Sequence, residues 1–326
     1  MQKTEITGIP FKETDRVRDM IRRDANLLPV LSRFGIAPGF GNDTAAKVCR
    51  ANSVHTATFL AVANFTGNLP ADTSDISLRS LIEYLKSAHS YFLEYRLPML
   101  RRQLVEALAD AGNDDITLMV LRFYDQYVAS VHAHMEYENT HVFTYVQSLL
   151  ANEPPTGEFR IAHFKDNHAP ISDKLADLKE IFITHYSAPG SSSERVNSAL
   201  YMLILCEHDL MTHCAVEDKI LVPAVAALEK KMSKTASGTD THVAETAADK
   251  ASADPDLLTE REKEIVRCVA RGLSNKEIAQ RLFLSVHTVT THRRNISAKL
   301  AIHSPAGLAI YAIIHKLLDL SEVKAQ

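Results

Sequence analysis

At 326 residues and 46% hydrophobic side chains, the chain is long enough for about two or three domains and apolar enough to give each a packed core. No run of about 18 uninterrupted apolar residues occurs, which excludes an ordinary membrane-spanning helix; the opening Met1-Gln2-Lys3-Thr4-Glu5-Ile6 also lacks the apolar core of an export signal, so a cytoplasmic protein is expected. The formal net charge of −4 hides a division: from Pro255 onward 11 Lys and Arg stand against 7 Asp and Glu, leaving an acidic body that carries a basic module suited to a polyanion.

Alternating runs of β-branched residues are nearly absent, which predicts an all-α chain. A small helical segment is expected over residues 12–65, with a soft boundary at Thr66-Gly67-Asn68-Leu69-Pro70-Ala71-Asp72. Cys49, Cys206, Cys214 and Cys268 are scattered without a CxxC pair, which fits reduced thiols better than a disulfide frame.

The next stretch, 73–230, holds a repeated constellation. His89, His134 and Glu138 recur as His168, His213 and Glu217, each 79 residues later. Within each copy the histidines are 45 residues apart, and the second His and the Glu are an i, i+4 pair on one helix face. The midpoints of the two 45-residue intervals fall in Asp110-Ala111-Gly112-Asn113-Asp114 and Ala188-Pro189-Gly190-Ser191-Ser192, the two best turn signals of the region. Residues equidistant from a turn lie at one height on antiparallel helices. Each copy is therefore a helical hairpin, and two hairpins make an up-down four-helix bundle with four His and two Glu facing inward. Imidazole suits iron, zinc or copper, and a carboxylate can bridge two cations; bundle cores house such pairs. These six residues supply about eight of twelve positions around two octahedral ions, leaving room for an oxo or hydroxo bridge and exchangeable ligands. The expected cofactor is two iron ions, with zinc or manganese as alternatives. His208 is five residues before His213 and points about 140° away on the helix, so it is expected to be no ligand. Pro98 is expected to kink its helix.

Residues 231–256 are rich in Ala, Ser, Thr, Asp and Lys, the composition of a flexible tether. Beyond it, 257–320 is punctuated as helices. Thr259 with Glu262 and Ser274 with Glu277 fit capping boxes, and Gly272 fits a left-handed C-cap. Ile265, Val266 and Val269 form one apolar stripe; Ile278, Ala279 and Leu282 form another. After the Phe283-Leu284-Ser285 turn, a third helix is expected to place Val286, Val289, Ile296 and Leu300 inward. Thr290, Thr291, His292, Arg293 and Arg294 then face outward. This is a helix-turn-helix whose outer helix suits a major groove of double-stranded DNA.

The stretch LLTEREKEIVRCVARGLSNKEIAQRLFLSVHTVTTHRRNISAKLAIHSPAGLAIYAI resembles the LuxR/FixJ/NarL-type DNA-binding domain. The resemblance implies a four-helix domain with Ser274–Leu282 as scaffold helix and Val286–Leu300 as recognition helix. It places Thr290, Thr291 and Arg294 at bases, with Arg294 the candidate for a guanine edge, and Lys276, His292 and Arg293 at phosphates. It also implies a homodimer through Pro305–Leu318, where Ala309, Ile310, Ala312, Ile313, Leu317 and Leu318 supply apolar surface. The stretches HMEYE (134–138), DNHAPISDKL (166–175) and HCAVEDKILVPAV (213–225) resemble the hemerythrin-like HHE domain of repair-of-iron-centres (ScdA-type) proteins. That family's ligands match His134, Glu138, His168, His213 and Glu217, with His89 completing the set. Asn139 departs from the pattern, standing where a second Glu is common. LLPVLSRFGIAPGFGNDTAAKVC resembles the small domain preceding that bundle, but its loop, Ala37-Pro38-Gly39-Phe40-Gly41-Asn42, lacks the family's Cys-Cys pair.

Together these readings imply a DNA-binding transcription regulator, not an enzyme, whose di-iron bundle senses O2, NO or redox state. The alternative is an iron-handling or iron–sulfur-repair-type protein with an autoregulatory DNA-binding domain. No membrane partner is expected.

Overall fold

The computed structural model describes residues 8–109, 114–152, 159–162, 164, 173–186, 193–234 and 258–318. Among them the protein is all-helical, with one isolated bridge between Arg16 and Thr44 in place of any strand. Four short helices, α1 (Val17–Arg23), α2 (Leu27–Arg33), α3 (Ala45–Ala51) and α4 (Thr56–Thr66), come first. The longer elements are α5 (Leu78–Ser90), α6 (Leu97–Leu108), α7 (Asp114–Tyr137), α8 (Phe143–Leu150), α9 (Asp173–Glu180), α10 (Ser193–Val216) and α11 (Val222–Lys234). The last four are α12 (Glu260–Ala270), α13 (Asn275–Leu282), α14 (Val286–Leu300) and α15 (Pro305–Ile314). No single helix among the described residues is long and apolar enough to cross a membrane.

The helix breaks follow the sequence signals. Helix α6 ends at Leu108 and α7 begins at Asp114; the π turn after α9 ends at His185 and α10 begins at Ser193. The two predicted turns fall in these intervals, mostly on residues outside those described. Among the described residues four π turns occur, at Tyr91–Arg96, Glu138–Val142, Ile181–His185 and Glu217–Leu221. The second and fourth are separated by the same 79-residue offset as the His and Glu pairs. The bend expected at Pro98 is resolved by the first π turn. The chain starts a fresh α-helix at Leu97, and Pro98 sits in its opening turn, where a missing N–H leaves no bond unmade.

The chain divides into two compact units, each assembled from three stretches of sequence. The first contains residues 1–95, 132–170 and 209–240. A continuous apolar core joins Leu31, Phe34, Phe59 and Val62 of the short helices to Leu81, Tyr84, Leu85, Phe143, Val146 and Leu221. Each such fully buried side chain stabilises by about 1.5–3 kcal/mol relative to exposure. Helix α5 shows why the fold seats His89 inside. Ser77 caps it by accepting from the Ser80 N–H, and Leu78, Leu81, Ile82, Leu85 and Ala88 set a buried stripe that His89 continues.

The second unit contains residues 96–131, 171–208 and 241–326. Its carboxy-terminal module carries both predicted capping boxes: Thr259 and Ser274 cap α12 and α13, with Glu262 and Glu277 returning hydrogen bonds of 2.8 Å to their backbone N–H groups. Gly272 adopts φ +77°, and the Gly272 and Leu273 N–H groups close the end of α12 on Val269 and Cys268 carbonyls. Ile265, Val266, Val269, Ile278, Ala279, Val289, Ile296 and Leu300 are buried as expected. Val286 is not: it is 48% exposed, because the first position of α14 stands about 60° off the Val289–Ile296–Leu300 stripe. Helix α15 packs on α12 and also on α9 and the π turn Ile181–His185.

Candidate functional site

His89, Glu138, His213 and Glu217 meet inside the first unit, all buried, with one ligand atom from each lying within 4.8 Å of the others. The π turns put them there. Glu138 and Glu217 are the first residues of their π turns, and each stands one helical turn after its histidine, His134 or His213. A π turn widens the helix locally and is frequent at functional sites.

The spacings fit ligands on a single ion. His89 Nε2 and His213 Nε2 are 3.1 Å apart, His213 Nε2 and Glu217 Oε1 3.2 Å, and His89 Nε2 and Glu138 Oε2 3.4 Å. Ligands about 2.1 Å from one ion and at right angles stand about 3.0 Å apart. The other oxygen of Glu138, Oε1, lies 3.0 Å from His134 Nε2, so this carboxylate reaches from the four-residue cluster to a further imidazole. His168, the remaining predicted ligand, lies outside the described residues. His89 of the first sequence copy meets His213 of the second, and within the first copy His89 and His134 both lie against Glu138.

Charge makes the same demand. Both glutamates are 0% exposed, and two buried carboxylates side by side need cationic compensation. Burial pushes the Glu217 carboxyl up, but the charge and hydrogen bonds of His213 and His89 outweigh it and hold the group well below the usual carboxylate range. At His134 burial lowers the pKa while the Glu138 hydrogen bond and charge raise it, with a net rise. His213 Nδ1 has no hydrogen-bond partner among the described residues. Burial, aided by the nearby Glu217, Glu138 and Asp218 charges, pushes the Cys214 thiol pKa up, and Cys214 is not one of the four clustered residues.

Several supporting residues had no motif to announce them. Asn139 Oδ1 accepts from His89 Nδ1 at 3.0 Å, which leaves Nε2 as the lone-pair nitrogen facing the carboxylates. Its one sequence signal was its departure from the HHE pattern. Phe143 stacks on the His89 ring, and Phe92 meets the His213 ring edge-on. Arg33 of α2 is buried, lies 5.0 Å over the Phe92 ring, and pairs at 2.7 Å with Asp209, one turn before His213. His132, His141 and His208 are exposed, and His141 stacks on Tyr137; His163 lies outside the described residues.

The predicted DNA-contact residues sit on α13 and α14. Lys276, Thr290 and Arg294 are exposed, while Thr291, His292 and Arg293 are half-buried. Arg293 Nη1 donates to Asn275 Oδ1 at 2.6 Å, tying the outer helix to the start of α13, and its burial lowers its pKa. Thr290 Oγ1 donates to the Val286 carbonyl at 3.0 Å. Phe283, left-handed at φ +52° and 96% exposed, forms the turn between the two helices.

Comparison with known proteins matches these two parts separately. Residues 256–312 match the family of bacterial regulatory proteins, luxR family, and residues 80–225 match the hemerythrin HHE cation binding domain. Among curated proteins, the oxygen regulatory protein NreC of Staphylococcus carnosus (strain TM300) is 48% identical over 63 residues, 19% of this chain and 29% of that protein. NreC of Staphylococcus aureus (strain JH9) is 46% identical over 63 residues, with the same coverage. The chain thus spans 29% of the length of the curated relatives it matches. No solved structure matches it.

Proposed function

We propose that this chain, a LuxR-type helix-turn-helix joined to a hemerythrin HHE domain, is a DNA-binding transcription regulator whose bundle holds two iron ions and responds to O2, NO or redox state. One observation carries the reading: a buried His89/Glu138/His213/Glu217 cluster, extended through Glu138 to His134, lies in the same chain as a DNA-binding module. His89, His134, Glu138, His213 and Glu217, with His168 as the remaining predicted ligand, would hold the metal. A pair of irons with positions left open by the protein supplies a redox-active centre that takes a diatomic ligand. Zinc, which has no redox chemistry, would leave the donor set intact but remove the redox response.

On the DNA side, Thr290, Thr291 and Arg294 face base edges, while Lys276, His292 and Arg293 meet phosphates. A homodimer would place two such helices on a two-fold symmetric site. The relatives named as oxygen regulatory proteins agree with a regulator. That likeness spans 63 residues, so the proposed signal rests on the His and Glu cluster.

The test is metal content and the optical spectrum of protein purified without oxygen and then exposed to air, followed by DNA affinity in each state. About two irons per chain, a spectrum that changes on oxidation, and a several-fold difference in DNA affinity support the proposal. Zinc in place of iron, or equal affinity and equal self-association in both states, overturns the sensing role.

A further inference from the structure

The carboxy-terminal module does not stand alone within its unit. Asp177, on α9, is 1% exposed, and its two carboxylate oxygens accept from the backbone N–H groups of His303 at 2.8 Å and Ser304 at 2.7 Å. These donors stand at the amino end of α15; Ser304 is its N-cap, accepting from the Gly307 N–H. A carboxylate there satisfies two backbone donors and lies at the positive end of the helix dipole. Residue 307 is glycine where a Cβ would stand 2.7 Å from Ile302 Cγ2, and Asp177 Oδ2 lies at ordinary contact distance beyond it. Alongside this contact, α15 packs against α9 and the π turn Ile181–His185, where Leu178, Ile181 and Phe182 are buried. On its other side α15 packs on α12. Leu308, Ala309, Ile310, Ala312 and Ile313 are all buried, so α15 keeps no open apolar face.

We infer that Asp173–His185 is a docking surface for the chain's own carboxy-terminal module, latched by Asp177 onto the amino end of α15, and that this docking and self-association through α15 exclude each other. One helix cannot cover the same apolar residues twice. The latch is also of a reversible kind. The Asp177 carboxylate is satisfied by two N–H groups when docked and by water when released, so opening strands no buried charge. The inference depends on neither a metal nor DNA, so its failure would leave the proposed function standing, and the reverse holds as well.

The experiment is hydrogen exchange on the full-length chain and its Asp177→Ala variant, at a dilution where both are monomeric, paired with sedimentation over a concentration series. Asp177→Asn serves as the milder variant. Amides of Ile310–Ile314 are expected to exchange about tenfold faster or more in Asp177→Ala, those of α13 and α14 at unchanged rates, and the variant to self-associate at lower concentration. Unchanged exchange in α15 overturns the docking. Faster exchange throughout α12–α14 also overturns it, because Asp177 would then hold the module's own fold. Faster exchange in α15 with unchanged self-association overturns the mutual exclusion.

Discussion

The Nδ1 of His89 donates to Asn139, and that hydrogen bond decides which nitrogen of the imidazole faces Glu138 and His213. Groups that orient a metal-binding imidazole are typically worth about 10–100-fold in metal affinity. Asn139→Ala is therefore expected to weaken metal binding by about that factor with helix content unchanged, as measured by metal titration and circular dichroism; an unchanged titration would leave Asn139 with only a packing role. Arg33 has a different part. Its guanidinium is buried against Asp209, so removing it strands a carboxylate one turn before His213. Arg33→Met should lower the unfolding free energy by about 3 kcal/mol, the low end for a broken buried pair because Asp209 keeps some contact with water. Denaturant unfolding checks this. The clustering of His89, Glu138, His213 and Glu217 was legible from their spacing, because i, i+4 pairs on a helix leave a pattern. Asn139 and Arg33 left none, because what they do depends on partners 50 and 176 residues away.

Elements were legible where their ends are written in side chains. Both capping boxes and the Gly272 cap form as read, since a cap is a contact over three or four residues. The π turns at Glu138 and Glu217 were not foreseen. Nothing in i, i+4 spacing distinguishes a helix that widens after the Glu from one that continues. Glu262 couples its cap to pH. Burial raises its carboxyl, but Lys299 and the Thr259 N–H and hydroxyl outweigh burial and hold it below the ordinary range. A depressed carboxylate contributes stability above its unfolded value, about 4.3, and loses it as pH falls through its folded value. The module's melting temperature should therefore drop as pH falls from about 5 to 3, less steeply in Glu262→Gln. Equal slopes in a thermal series would contradict this. On α14, exposed Arg294 and half-buried Arg293 should separate. Arg294→Ala is expected to cost about 1–3 kcal/mol in DNA affinity at one base position, and Arg293→Ala to lower the module's melting temperature as well, by losing Asn275. Binding and melting measured on both variants decide it.

At the scale of the whole molecule, a metal held at the proposed site would be part of the stability of the first unit. Glu138 and Glu217 sit 0% exposed with three imidazoles around them, and a ligand that binds the folded chain stabilises it by about 2.7 kcal/mol at one hundred times its dissociation constant. Stripping metal with a chelator should lower the melting temperature, and restoring it should reverse the loss; a melt indifferent to metal would mean that the imidazoles alone compensate the carboxylates. Asp177 follows His168 by nine residues, so the segment that clasps the carboxy-terminal module adjoins a predicted ligand in sequence.

By itself the sequence determined what is local or periodic: an all-helical chain, the His and Glu register at 45 and 79 residues, the cap residues, and the helix-turn-helix stripes. Each follows from side chains within a few turns of one another, or from a repeat that makes distant turns obey one rule. Only the tertiary structure decided that His89 meets His213 across 124 residues, that Arg33 braces the helix of His213, and that Asp177 caps α15 from 126 residues away. These contacts join elements whose approach is set by how whole apolar faces pack. No spacing rule in the chain encodes which buried polar group will complete the hydrogen bonds of another.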